Sequence, residues 1–518
     1  MISEYEKPVL DPPQSQWPSE KCELSDSRLQ ALRQNARRRL VRAALDYTQR
    51  LSAIGWRSGL FHCQNPRLSG DADALPIFMT GHQPVIFHSG LTFKYETTEV
   101  FAVDSGAIAI AVVIDTDEGD AGAFSFPSAD SAMQFSTSIA TFGTGTSLYS
   151  AGRKKPSQLI QDESQTVVCG LQSAGCVSSA AQFEKIATQY AALATDSIME
   201  ANLIVRWNAG IGGRMLELPL SALCSLPEVV QFFGEILARP FEFAGVYNST
   251  LNDYRTNQKI RNEANPFPNM ALDSSWCELP FWLVDPVKGT RSIIRIRQQG
   301  PDRVLETADG IGTELLPGHE AASLFSLLVA GQQLIPRGAL ITVTLRMLFS
   351  DLFVHGTGGG KYDRYTDTLI RTWWKVEPTP FAVASASRYL FAEECRELDQ
   401  LQQIADQLRD MQFNPHRHFG SGLFSTEAET LLRAQLKAKE IAVERLKQSR
   451  EAGQPAGDIG REIQRMSDEI KKAVAREFEP RLAKLSSVSD QTSATWTSRT
   501  WPWMFFERPG EPDSPHPA

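Results

Sequence analysis

The chain has 518 residues, 42% hydrophobic and 22% charged, with a formal net charge of −9, so two or three domains around a large core are expected in a soluble globular protein. The acid excess disfavours a general binder of nucleic acid or of membrane surfaces, no apolar run reaches the roughly 18 residues that a membrane span needs, and MISEYEKPVLDPPQ lacks the basic and apolar regions of a signal peptide. The seven cysteines (22, 63, 169, 176, 224, 277, 395) are dispersed with no C-x-x-C pair, which predicts reduced packing thiols in a cytoplasmic protein.

Residues 1–25, rich in Pro, Ser and Glu, read as an arm. Ser25 or Asp26 then offers an N-cap to the helical run SDSRLQALRQNARRRLVRAALDYTQRLSAI, whose basic stretch ARRRLVR (36–42) reads as a solvated face. Residues 75–120 predict a short apolar strand from Pro76 to Thr80, a helix carrying Leu91, Tyr95, Thr98 and Phe101, and a second strand, AIAIAVVID, apolar enough to be covered on both faces. That is a βαβ unit of a parallel sheet. Residues 121–175 read as loop-like or weakly stranded. Helices are expected around 180–201 and 226–239, short strands at 203–219 and 290–306, a polar helix in NDYRTNQKIRNEANPFPNM, and a buried aromatic segment in CELPFWLVD.

In 336–356 the side chains of Leu345, Leu348, Phe349, Leu352 and Phe353 fall on one helical face. A glycine loop then interrupts before KYDRYTDTLIRTWW resumes helix. Residues 385–411, 424–450 and about 458–486 predict charged helices. The last two, joined by EAGQPAGDIG, predict an antiparallel coiled-coil hairpin that also serves a homodimer through 424–486. The aromatic run in 496–506 is expected to dock on the core or on a partner. The expected divisions are an N-terminal arm and helix (1–74), an α/β core with insertions (75–380), a helical domain (381–490), and an aromatic then flexible tail (491–518).

Three stretches could carry chemistry. TGHQPVIFHSG leaves the first strand of the βαβ unit, where open α/β sheets bind ligands. It offers Gly81, His82, Gln83 and His88, with Lys94 one turn into the helix and helix-start amides suited to an anion. The bland reading is a hydrogen-bonded turn and a helix cap. DTDEGD brings Asp115, Asp117, Glu118 and Asp120 to the same edge, where acids could hold Mg²⁺, bind an amine or share a proton. A solvated acidic loop is the alternative.

The third stretch, HGTGGGKYDRYTD, gathers four glycines between His355 and Lys361. Gly358, Gly359 and Gly360 would let backbone amides approach a ligand, with Asp363 one helical turn on. Four glycines exceed what a helix-to-helix turn needs, so an anion-binding loop lining the same pocket as His82 and Gln83 is expected. His82, His355 and Asp117 are the candidate catalytic groups. No metal-ligand spacing is present. Lesser candidates are His319, Glu320 and Arg337, while His416 and His418 read as a linker and Arg346 as half of a structural ion pair.

In TGHQPVIFHSGLTF, Gly81, Gln83, Phe87 and Gly90 match the G-Q-Q-type loop and helix start of the bacillithiol-biosynthesis family that adds cysteine to glucosaminyl-malate, with His82 where that family has glutamine. TDEGDAG is loosely similar to its next acidic motif. The resemblance implies a Rossmann-like parallel-sheet core with inserted segments, a C-terminal helical hairpin and a nucleotide-binding, ligase-like site, so that ATP is the cofactor it points to and Mg²⁺ is left open. The expected function is a ligase-like enzyme joining an amine, cysteine or another amino compound, to a small-molecule acceptor. The alternatives are a non-catalytic nucleotide- or metabolite-binding protein that dimerises through its coiled coil, and a metal-dependent hydrolase.

Overall fold

All six side chains of Ile108–Val113 are buried, which requires protein on both faces of that strand. The computed structural model, which describes residues 6–60, 74–262, 264–299, 302–307 and 312–507, places it inside a six-stranded sheet. The members are β1 (Glu6–Asp11), β2 (Ile77–His82), β3 (Ile108–Val113) and the strands Leu216–Pro219, Leu352–His355 and Phe381–Ser387. In space they run β1, 381–387, 352–355, β2, β3, 216–219. The last five are mutually parallel, and β1 pairs antiparallel at one edge.

From β2 the chain steps outward through β3 to 216–219, then returns to the other side of β2 with 352–355 and 381–387. The strand order therefore reverses between β2 and 352–355. One face carries α1 (Ser27–Arg57), capped by Asp26 accepting from the Leu29 amide at 2.8 Å. The other carries α2 (Ser89–Asp104), whose Phe101 stacks on Phe78 of β2 at 5.2 Å. Five more strands, Gly312–Leu315, Asp302–Thr307, Thr290–Gln299, Trp276–Asp285 and Gln333–Pro336, form an antiparallel sheet in that spatial order. The fold is mixed α/β, and among the described residues no helix is long and apolar enough to cross a membrane.

The chain makes two compact units. Described residues through Ser128, Thr137–Arg388 and those from Arg499 onward form the first, and Ala129–Ser136 with Tyr389–Ser498 form the second. In the second, the helices Ala392–Phe413, Thr426–Glu451 and Gly457–Ser487 share a core of Ile404, Met411, Phe424, Leu432, Ile470, Val474 and Phe478. The two longest are joined by residues 452–456, with Gly453 in the left-handed region at φ 68°.

Several expectations are corrected. The helix expected through residue 353 ends at Leu348, and Leu352–His355 is a strand. Apolar spacing over four residues cannot distinguish the two periods. The glycines are no loop, since Thr357–Trp373 is helical from its first residue. Residues 385–387 belong to a strand and the helix begins at Ala392. Within 121–175, Ser157–Ser173 is a helix that buries Ile160, Val167, Val168 and Leu171 at helical period. The run 203–219 is a helix end followed by a four-residue strand, and part of the N-terminal arm is β1.

The basic stretch of α1 is not all solvated, because Arg37 is buried, as is Arg33 one turn before it. Residues Arg499 to Glu507 return to the first unit, where Trp501, Trp503, Met504 and Phe505 are buried. Cys63, most of the loop before residue 74 and the tail after residue 507 lie outside the described residues.

Candidate functional site

Parallel pairing sets Leu352 beside Phe78 and Phe353 beside Met79. Side chains alternate faces along a strand, so His355 shares the face of Phe353 and Met79, both in the core beneath α1. His82 shares the opposite face with Phe78. The two histidines expected to meet in one pocket end neighbouring strands and point to opposite sides of the sheet. The cavity that His82 and Gln83 line contains none of residues 355–361.

On the His355 face, Nε2 lies 2.8 Å from Oδ2 of Asp363, and Arg346 Nη1 donates to the same oxygen at 2.9 Å. Arg346 also pairs with Asp367 at 2.7 Å, so the partner of this arginine sits on the following helix. Burial alone would push the Asp363 carboxyl up, but His355 and Arg346 outweigh it and hold the group below its ordinary range. An ionised, buried carboxylate then fixes the orientation of the imidazole.

The glycines serve this contact. A Cβ at Gly359 would press on the His355 ring, and one at Gly360 would overlap Val383 of the neighbouring strand. Gly358 faces open space, and Gly356 occupies the N-cap with no side chain to satisfy the first helical amides. The Lys361 side chain is exposed and its carbonyl accepts from the Tyr254 hydroxyl at 2.7 Å.

The acidic stretch divides. Asp117 accepts from Gln83 Nε2 at 2.9 Å and from Arg291 Nη1 at 2.7 Å, joining the ends of β2 and β3 to the antiparallel sheet. Glu118 lies 3.7 Å from the same guanidinium. Asp115 instead receives the amide and hydroxyl of Ser221, holding the start of the Leu220–Cys224 helix, and burial pushes its carboxyl up. Asp120 closes a turn by accepting from the Gly122 amide and the Thr141 hydroxyl. Among the described residues no group of three or more His, Cys, Asp and Glu is placed to hold a metal ion.

Asp117, Arg291 and Arg337 line a cleft of about 370 Å³ together with Tyr247, Phe267 and Trp282. The guanidinium carbons of Arg291 and Arg337 lie 4.6 and 5.2 Å from the Trp282 ring centre. Residues 276–299 carry no motif, and Asp117 and Arg291 are 174 positions apart, so local pattern carries no signal of this pairing beyond a weak one at Arg337.

The His82 face is closed. Lys94 is buried and donates from Nζ to the Gly81 carbonyl at 2.8 Å. Burial and nearby Arg206 bring its ammonium down to about 7. His88 caps α2 by accepting the Gly90 amide at 3.1 Å, and burial, Arg499 and Lys94 lower its imidazole. The cavity beside His82 measures only about 10 Å³, close to what one water occupies. Gly81, His82, His88 and Lys94 therefore read as packed elements of this face.

Burial and Lys94 bring the His82 imidazole from 6.5 down to about 3, too low for a general base at neutral pH. An unfolded chain would take up a proton on His82 that the folded chain refuses. Its stabilising contribution is thus complete above pH 6.5 and declines as pH falls toward 3. His82→Asn should flatten the acid side of a plot of melting temperature against pH. Equal acid slopes for the two proteins, followed by circular dichroism, would refute this.

No protein-family model matches the chain, and no curated protein matches it.

Proposed function

We propose that this protein is a ligase-like enzyme of the cytoplasm that joins an amine, cysteine or another amino compound, to a small anionic acceptor. The observation that carries the reading is the His355–Asp363 pair at 2.8 Å, set where the strand order reverses. Ligands of open α/β sheets bind outside the carboxyl ends of the strands at such a point, and on this basis we read the sheet as Rossmann-like.

In this reading His355, oriented by Asp363, takes the proton that the amine loses as it attacks. Asp117 and Gln83 stand where an ammonium group can be received, and the arginines face the acceptor. ATP would supply the driving force when bound, and the uncapped amides at Gly356 are suited to a phosphate. The resemblance to the cysteine-adding bacillithiol family rests on Gly81, Gln83, Phe87 and Gly90.

The test is ATP-dependent condensation of a panel of amino compounds with small carboxylate and sugar-acid acceptors, read by mass spectrometry. His355→Asn should lower kcat at least about 100-fold with little change in amine affinity. If no pair is joined, the protein is a non-catalytic metabolite-binding protein.

A second reading concerns self-association. Leu431 and Ile441 are 53% and 57% exposed on the Thr426–Glu451 helix, which favours a dimer through a coiled-coil hairpin at 424–486. Light scattering on the whole protein decides it, because a monomeric mass removes the dimer.

A further inference from the structure

Two kinds of arginine occur in the first unit. Arg33 and Arg37 are surrounded by acceptors: Arg33 donates to three carbonyls (Arg346, Met347 and Ser350) and to Asp351, and Arg37 to two carbonyls and the same carboxylate. Both Nη atoms of each of these guanidinium groups are held by the protein.

Arg291 and Arg337 differ. Arg291 uses Nη1 alone, donating to Asp117 at 2.7 Å and to the Thr116 carbonyl at 3.2 Å. Its Nη2 donates to no acceptor in the described protein, and its Nε sees only Glu118, at 3.7 Å. Arg337 uses Nη2, on Glu278, the Leu279 carbonyl and the Met270 sulfur. Its Nη1 makes no bond, and its buried Nε has no partner. Each guanidinium is fixed at one corner by a carboxylate and set against Trp282, and both arginines line one cleft. Unmade hydrogen bonds of partly buried charged donors are costly, and an oxyanion on a ligand would satisfy them, bidentate where geometry permits.

The rest of the wall fixes what carries that oxyanion. Thr116 and Asp117 line it too, engaged with Arg291, while Tyr247, Phe267, Pro268, Met270, Pro336 and Ile341 are apolar or aromatic and none offers a flexible polar chain. Phe267 is itself held, against Tyr362 at 5.8 Å and Tyr365 at 6.1 Å, and Gly338 admits its ring, since a Cβ there would lie 2.9 Å from Phe267. About 370 Å³ accommodates one or two fused rings.

We infer that this cleft binds a small organic oxyanion, a carboxylate or a phosphate, on a flat apolar body, with Arg291 and Arg337 as the anion clamp and Phe267 as the wall for the body. The inference rests on the reading above in taking this ligand as the acceptor, and the binding itself is separable from it.

Calorimetry with naphthalene-2-carboxylate, 2-naphthyl phosphate and neutral naphthalene-2-carboxamide tests it. At least one anion should bind about tenfold or more tightly than the amide, a preference that two charge-assisted hydrogen bonds readily provide. The tighter anion names the group recognised. Arg291→Gln and Arg337→Gln should each remove most of that preference, and Phe267→Ala should weaken all three probes together. Arg291→Gln alone suffices if the Arg337 variant does not fold.

Equal affinity for anion and amide, no binding of any probe, or anion binding unchanged in the arginine variants would overturn the inference. Arginine-dependent anion binding with no joining reaction leaves the clamp standing and removes the ligase reading. Loss of a joining reaction in His355→Asn, with no anion preference, does the reverse.

Discussion

Replacing Asp351 with asparagine is expected to remove about 3–5 kcal/mol of stability, the usual result of leaving a buried charge without its partner. Asp351 is completely buried. One oxygen accepts from the Cys22 amide at 2.9 Å and from Arg33 at 2.8 Å. The other accepts from the Ile77 amide and from Arg37, both at 2.8 Å. A single carboxylate thus ties the N-terminal segment, the start of β2 and two arginines of α1 to the turn before the 352–355 strand.

Burial already brings Arg33 down to about 10 in spite of Asp351, so the pair is held by geometry against a large desolvation cost. Asparagine preserves the shape but can satisfy neither guanidinium charge. Urea unfolding followed by circular dichroism reads the loss, and a change below about 1 kcal/mol would show that water reaches these arginines. Cys22→Ala keeps the carboxylate and should cost much less.

The second large effect is expected at Glu217→Ala, again about 3–5 kcal/mol. Glu217 is wholly buried and pairs with Arg206, while the Trp207 indole donates to it at 3.2 Å. Burial pushes the Glu217 carboxyl up despite Arg206. Arg206 also lies 4.5 Å from the Tyr95 ring centre, so without Glu217 its charge is left among aromatic rings and close to Lys94. Replacing both partners, Arg206→Met with Glu217→Leu, should recover most of the loss, because the cost arises from the unpaired charge. If the double variant is as unstable as Glu217→Ala, the pair contributes packing that hydrophobic side chains cannot reproduce.

Which parts of this could be read from residues alone follows from range. The βαβ unit is legible because AIAIAVV allows only a doubly covered strand and its partner strand and helix precede it within about 40 positions. The 352–355 strand is not, since three apolar residues after a helix continue the helical stripe as well as they begin a strand. The burial of Arg33 and Arg37 depends on carbonyls more than 300 residues away, and local periodicity places them on a surface.

The glycines were noticed for their number, but their reason is His355 and Val383, one contact nearby and one in the next strand. Asp363 was placed on the candidate list from its helix position, and its pairing with His355 at i+8 required the strand-to-helix reversal. The cleft was least legible, because its arginines and aromatic residues come from segments with no motif and meet only when two sheets are built.

The buried Trp501, Trp503, Met504 and Phe505 have a consequence for how the protein is made. Trp503 donates its amide to the Phe87 carbonyl at 3.0 Å, and Phe505 packs on Phe124 and Phe183 at 6.4 and 5.6 Å. The first unit is therefore finished by residues that are translated only after the whole of the second unit. A chain released between Arg388 and Trp501 would keep the β2–α2 loop and the Phe124–Phe183 contact but leave them uncovered. Such a product shows apolar surface to chaperones and proteases, so that only chains translated past Phe505 pass into the stable pool.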